Sequence, residues 1–200
     1  MSELKRNRSL PVSEHLIIRP RIDTLLEEGM KYPVCAITAG AGFGKTQAAA
    51  SFLERSDYRT VWMELTGLDN LPVCFWDNFA YICSLHREGL GEKMKELGFP
   101  ESLFKIYKFL QFLTEELYQD NRHVVFVFDD FWRVDNESIH SFFRTLVDAK
   151  LENVSFLFIS RDLDSCMFGH RIFFLTADDL RFTEEETERY FEADINSRPE

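Results

Sequence analysis

The sequence predicts an α/β fold: a parallel sheet sandwiched between helices, with its chemistry gathered at one sheet edge. Three observations predict it. Apolar runs of strand length recur at Val34–Ala39, Thr60–Leu65, His123–Phe128, Val154–Ser160 and Ile172–Leu175. They are unbroken rather than alternating, as in strands covered on both faces. Helical stretches at Lys45–Glu54, Pro72–His86, Ser102–Tyr118 and Glu137–Lys150 lie between them, and such alternation is the pattern of a parallel sheet. The third observation is "AGAGFGKT", Ala39–Thr46, set between the first strand run and the first helical stretch.

Composition bounds the reading. A chain of 200 residues with 45% hydrophobic and 28% charged residues makes one moderate domain with a real core. Most of its 20 phenylalanines are assigned to that core. A net charge of -11 argues against broad contact with nucleic acid, which needs clustered Lys and Arg. No window reaches the roughly 20 apolar residues of a membrane span, and "MSELKRNRSL" lacks the apolar stretch of a signal peptide. Cys35, Cys74, Cys83 and Cys166 show no CxxC spacing, so they read as reduced, mostly buried thiols in a cytoplasmic protein. Asn-x-Ser matches at Asn7, Asn136 and Asn153 carry no weight without secretion.

Taken in order, "PVCAIT" supplies a first strand and "KTQAAASFLE" a strong helix former. Between them, Gly40, Gly42 and Gly44 let the backbone curl so that successive N–H groups face inward. Such a nest, at the positive end of a helix dipole, holds polyphosphate oxygens. Candidate nucleotide contacts are therefore Gly40, Ala41, Gly42, Phe43, Gly44, Lys45 and Thr46, with Gln47 next in line. Lys45 is placed to reach the β- and γ-phosphates, and the Thr46 hydroxyl to ligate Mg²⁺. The first glycine of the usual pattern is Ala39 here, and a plain strand-to-helix turn is the competing reading. The segment Glu88–Glu101, rich in Gly and Lys, reads as a mobile connection.

"HVVFVFDDFW" ends an apolar run on Asp129 and Asp130. Two carboxylates at the end of a buried strand are costly unless a cation or proton compensates them. Asp129 is the candidate Mg²⁺ ligand beside Thr46, and Asp130 the candidate group that orients or deprotonates an attacking water. "SFLFISRD" delivers Arg161 to the same edge, where an arginine can sense a γ-phosphate. No Asn/Thr-Lys-x-Asp guanine signature occurs, so ATP is favoured over GTP. Near the end, Thr183 and Glu186 of "FTEEETERYF" form a capping box opening a last helix.

With these blocks in order, the chain resembles the STAND-class ATPases at the front of MalT-like, LuxR-type bacterial transcriptional regulators. "LPVSEHLIIRPRIDTLLEEG" is similar to their entry segment, "AGAGFGKT" to their phosphate loop and "VWMELTGLDNLPVCFW" to their second strand and next helix start. "FVFDDF", "FLFISR" and "DDLRFTEEE" complete the set, which runs from about Leu10 to Tyr190. The resemblance implies a P-loop NTPase of the ASCE type, with the Val154 strand between the loop strand and the Asp129 strand. It implies ATP or ADP with Mg²⁺ as cofactors, slow hydrolysis as a regulatory switch, and self-association of a full-length protein. It divides the chain into an entry segment, 1–22, and a P-loop NTPase domain, 23–200. Ile18, Arg19 and Arg21 are then candidates to border the adenine. It also implies that winged-helix, helical-repeat sensor and DNA-binding helix-turn-helix regions follow in a longer protein, so that this part binds no DNA. Ala39 and the proline-free "SRDLDSCMFGH" depart from the family pattern. Two rivals use the same loop: a small-molecule kinase, and a non-catalytic nucleotide-binding scaffold.

Overall fold

The computed structural model of the chain describes residues 17–117, 122–164, 167–169 and 172–196. Cys166, the Asn7 match and the entry segment before residue 17 lie outside the described residues. Among the described residues, five strands form one parallel sheet: β1 (Val34–Thr38), β2 (Arg59–Glu64), β3 (Val124–Asp129), β4 (Val154–Ser160) and β5 (Ile172–Leu175). They lie in the order β2-β3-β4-β1-β5. Every predicted run is thus a strand, and β4 stands between β1 and β3 as the resemblance implied. Register pairs Thr38 with Ser160 and Phe128 with Phe158, so β1, β3 and β4 finish on one edge.

Because strand side chains alternate between faces, residue parity sorts the core into two halves. Val124, Phe126 and Phe128 of β3 join Phe156 and Phe158 of β4 on one face. There they meet Phe75, Trp76 and Phe79 of α3 (Pro72–His86), Phe109 of α5 (Leu103–Leu117), and Phe142 and Phe143 of α6 (Glu137–Asp148). The rings interlock edge to face, as at Phe128–Phe143, 4.6 Å between centroids; each such pair adds about 1 kcal/mol beyond the area it buries. Most phenylalanines sit in this slab, as composition indicated. The other face is aliphatic: Val125 and Val127 of β3, Leu157 and Ile159 of β4, and Cys35 and Ile37 of β1. Ile22 and Leu26 of α1 (Pro20–Gly29) and Ala49, Ala50 and Leu53 of α2 (Lys45–Arg55) cover it.

Two expectations change. The segment Glu88–Glu101 holds a helix, α4 (Leu90–Leu97), instead of a mobile connection. Leu90 and Met94, one turn apart, are buried in the aromatic slab, and the indole Nε1 of Trp76 donates to the Met94 carbonyl at 2.6 Å. Gly91 permits this docking, since a Cβ there would stand 2.7 Å from the Ala80 carbonyl oxygen. The boundary at residues 22 and 23 falls inside α1. After β5 come α7 (Ala177–Leu180) and α8 (Glu184–Asn196). The predicted capping box opens α8: the Thr183 amide donates to Glu186 Oε2, and the Glu186 amide to Thr183 Oγ1. No helix among the described residues is long and apolar enough to cross a membrane.

Candidate functional site

The loop leaves β1 at Ala39, whose amide donates to the Ser160 carbonyl of β4 at 3.4 Å. Ala39 is 5% exposed and its φ is not positive, so a small side chain fits where the usual pattern has glycine. Gly42 and Gly44 do need their identity, with φ of +82° and +73°; a Cβ in that region costs about 1 kcal/mol or more. Gly44 is the N-cap of α2 and brings no capping side chain. The first amides of α2 therefore stand at the mouth of the loop with the helix dipole behind them. Gly40, Ala41 and Phe43 form the exposed rim, and Gln47 is half-buried on the first turn of α2.

Two functional side chains leave the same turn of α2. Lys45 Nζ donates to the Gly40 carbonyl at 2.9 Å. Partial burial, helped by the charge of Arg161, lowers its pKa, while Asp129 and Asp130 oppose that shift. Thr46 Oγ1 donates to Asp129 Oδ1 at 3.2 Å. Parity explains this bond: Val125, Val127 and Asp129 are odd-numbered on β3 and face α2, whereas the phenylalanines face away.

Asp129 is 5% exposed, and its carboxyl is pushed up to about 6. Burial is the main cause; the bonds from Thr46 and the Asp130 amide (2.9 Å) pull the other way, and the charges of Asp130 and Glu64 add to the rise. A buried carboxylate beside a hydroxyl is a hard-oxygen donor set that suits Mg²⁺. The cation would remove the electrostatic penalty that raises the pKa.

Asp130 occupies the left-handed region (φ 57°, ψ 36°), so its side chain turns away from that of Asp129. Its Oδ1 accepts from Trp132 Nε1 at 3.0 Å and its Oδ2 from Arg133 Nε at 3.2 Å, both in the 3₁₀ turn Phe131–Arg133. Arg161 leaves β4 exposed, its guanidinium 4.3 Å from the centre of the Trp132 ring. The structure thus gathers the loop, Lys45, Thr46, Asp129, Asp130 and Arg161 at one sheet edge.

Arg19 and Arg21 go elsewhere. Arg19 Nη2 donates to the Leu180 carbonyl at 2.7 Å and to Glu186 Oε2 at 3.1 Å, with its guanidinium over Phe182. Arg21 reaches Glu186 Oε1 through Nε at 3.0 Å, and the Asp179 and Arg181 carbonyls. Burial opposes the charge of Glu186, but the bonds from Arg21, Arg19 and the Thr183 amide outweigh it and hold the carboxyl at about 2. These arginines bind α7 and α8, and Ile18 beside them is half exposed.

No family model matches the chain. Over 190 residues, 92% of its length, it is 23% identical to the HTH-type transcriptional regulator MalT of Yersinia pestis (strain Pestoides F). The MalT regulator of Serratia proteamaculans (strain 568) matches at the same identity and coverage. The chain spans 21% of the length of these relatives. In fold it is similar to the Walker-type ATPase PABY2304 of Pyrococcus abyssi, with a TM-score of 0.60 at 14% identity, covering 98% of this chain and 64% of that one. The chain has the α/β fold of a P-loop NTPase and is similar in sequence to MalT regulators.

Two features of this domain were not foreseen from the sequence. Trp132 and Arg133 were in plain view inside "DDFWR", yet only the left-handed turn at Asp130 brings them back onto its carboxylate. Glu186 showed its capping role locally, but its arginine partners are more than 160 residues away. Cys35 and Cys83 are free and buried, and burial raises both thiols well above their ordinary range.

Proposed function

We propose that this domain is an adenine-nucleotide switch. It binds Mg-ATP, hydrolyses it slowly, and so biases a longer LuxR-type transcriptional regulator of the cytoplasm between a resting and a self-associating state. The observation that carries the reading is the bond between Thr46 and Asp129, which joins the helix behind the loop to the acidic strand end at the edge where Lys45 stands.

The loop amides and Lys45 hold the polyphosphate, and Gln47 supports the turn beneath it. Thr46 and Asp129 hold Mg²⁺, which when bound neutralises phosphate charge. Asp130, steadied by Trp132 and Arg133, orients the attacking water, and Arg161 meets the terminal phosphate. The entry segment borders the base, with Ile18 against it and Arg19 and Arg21 fixing its course through Glu186. ATP and ADP are the ligands of the two states. This domain contributes no DNA contact of its own, its net charge of -11 opposing one.

Single-turnover hydrolysis of Mg-ATP tests the reading. The wild type should hydrolyse slowly, and Asp130→Asn should bind ATP equally while turning over on the order of 10²-fold more slowly. Equal hydrolysis by both proteins would remove Asp130 from the chemistry. Phosphate transfer to a small acceptor in place of water would make the domain a kinase.

A further inference from the structure

Trp132 is unlike the other tryptophans of the chain. Trp62 and Trp76 are 7% and 1% exposed and fill core space, whereas Trp132 is 37% exposed at the phosphate edge. Three groups converge on it. Its Nε1 donates to Asp130 Oδ1 at 3.0 Å, and the guanidiniums of Arg133 and Arg161 lie 4.5 and 4.3 Å from its ring centre. Arg133 closes the circuit by donating to the other oxygen of Asp130. The left-handed backbone at Asp130 makes this possible, although a non-glycine residue adopts it only at a cost. Local strain of that kind persists where the surroundings hold it in place.

The position of Arg161 gives the arrangement a purpose. It follows Ser160, whose strand partner Thr38 precedes the loop, and its positive charge is felt at Lys45. An arginine on an exposed turn has much rotamer freedom to lose when it grips an anion. A tryptophan face is the best aromatic surface for a guanidinium, and stacking there removes part of that freedom in advance. The ring is itself fixed at its N–H and by Arg133, so Arg161 rests on a platform tied to the acidic strand end.

We propose that Trp132 is the positioning residue that holds Arg161 at the loop edge to recognise the terminal phosphate, giving the domain its preference for nucleoside triphosphate over diphosphate. This rests on the nucleotide reading above. A diphosphate lacks the terminal group, so its affinity is insensitive to Trp132, while a triphosphate offers oxygens that a planar guanidinium bonds in pairs.

Titration calorimetry with Mg-ATP and Mg-ADP tests it on the wild type, Trp132→Ala, Trp132→Phe, Arg161→Ala and the Trp132→Ala/Arg161→Ala double variant. The wild type prefers ATP. Trp132→Ala loses about fivefold in ATP affinity, the ordering cost of one long side chain, and keeps its ADP affinity within about twofold. Trp132→Phe, which retains a ring, recovers most of the loss. Trp132→Ala adds nothing once Arg161 is alanine. In wild-type protein, ATP changes the emission of the half-exposed indole more than ADP does, and that difference is absent from Trp132→Phe. Equal loss for ATP and ADP, no loss for either, or additive losses in the double variant would each overturn the inference. A wild-type protein that binds neither nucleotide would instead overturn the nucleotide reading, and the inference with it.

Discussion

Two pairs of arginines cluster in this domain, one on the buried Glu186 and the other on Trp132 at the wet edge of the sheet. Arg19 and Arg21 converge on Glu186, whose side chain is 3% exposed and whose charge burial would disfavour on its own. Arg133 and Arg161 converge on Trp132, and Arg133 also pairs with Asp130, whose side chain is 38% exposed. Read in sequence, Arg19, Arg21 and Arg161 looked alike, as cations near a nucleotide. Their surroundings separate them. A buried ion cluster is strongly destabilised when one partner is lost, because the others remain charged in a poor dielectric. A half-exposed cluster contributes little to stability, since water and salt replace the missing partner. Stability therefore concentrates where α1 meets α8, and the freedom to answer a ligand concentrates at Asp130 and Arg161.

The largest effect should come from breaking the buried cluster. Glu186→Gln leaves Arg19 buried without its carboxylate and should lower unfolding free energy at pH 7 by about 3 kcal/mol, read by denaturant melts. The folded pKa of Glu186 is depressed to about 2, so its stabilisation is present above the ordinary carboxylate value of 4.5 and is lost as pH falls toward 2. The variant and the wild type should therefore converge in stability at that acid end. A constant gap across this window would contradict the linkage.

Asp129 sharpens the contrast, being a buried carboxylate with no arginine bonded to it among the described residues. Its pKa is raised to about 6, so its ionisation weighs against the fold above pH 6 and ceases to matter below about 4. Asp129→Asn should therefore stabilise the protein at pH 7 by roughly 2 kcal/mol, measured without Mg²⁺ or nucleotide, and by almost nothing at pH 4. With Mg-ATP present the order should reverse, because the wild type alone gains the metal. Failure of both halves of that test would remove Asp129 from the site.

The smallest effect belongs to the exposed pair. Arg133→Ala should change stability by less than about 0.5 kcal/mol, read from the shift in Tm. A loss comparable to that of Glu186→Gln would mean that the edge cluster holds the fold, and the contrast between the two arginine pairs would disappear.

What was legible in the sequence follows the same division between local and distant causes. The strands, the loop and α2 announce themselves because each depends on residues a few positions apart: an apolar run, two glycines with positive φ, a stretch of alanine. The bond from Thr46 to Asp129 was also within reach, since alternation along β3 decides which carboxylate faces α2. Even the departure at Ala39 has a local account, as a buried position with ordinary backbone. The helix α4 was missed because its short apolar spacing, Leu90 to Met94, is interrupted by glycine and lysine, and its stability comes from Trp76 and Ala80 on another helix. The fate of Arg19 and Arg21 was illegible for the same reason: Glu186 enters from the far end of the chain. Trp132 is a subtler case, three positions from Asp129 in sequence but placed by one left-handed residue that no propensity foretells.

The central claim is that the edge built by Lys45, Thr46 and Asp129 is an adenine-nucleotide site. Calorimetric titration of the wild type and Lys45→Ala with Mg-ATP and Mg-GTP tests it most directly. Lys45 is half-buried and, among the described residues, its ammonium bonds the Gly40 carbonyl of its own loop, so the variant should fold normally. The account predicts that ATP binds the wild type more tightly than GTP, and that Lys45→Ala loses at least about tenfold in ATP affinity, as removal of a charged hydrogen bond implies. Equal affinity for ATP and GTP, or unchanged ATP affinity in Lys45→Ala, would contradict it and leave the loop as a strand-to-helix turn.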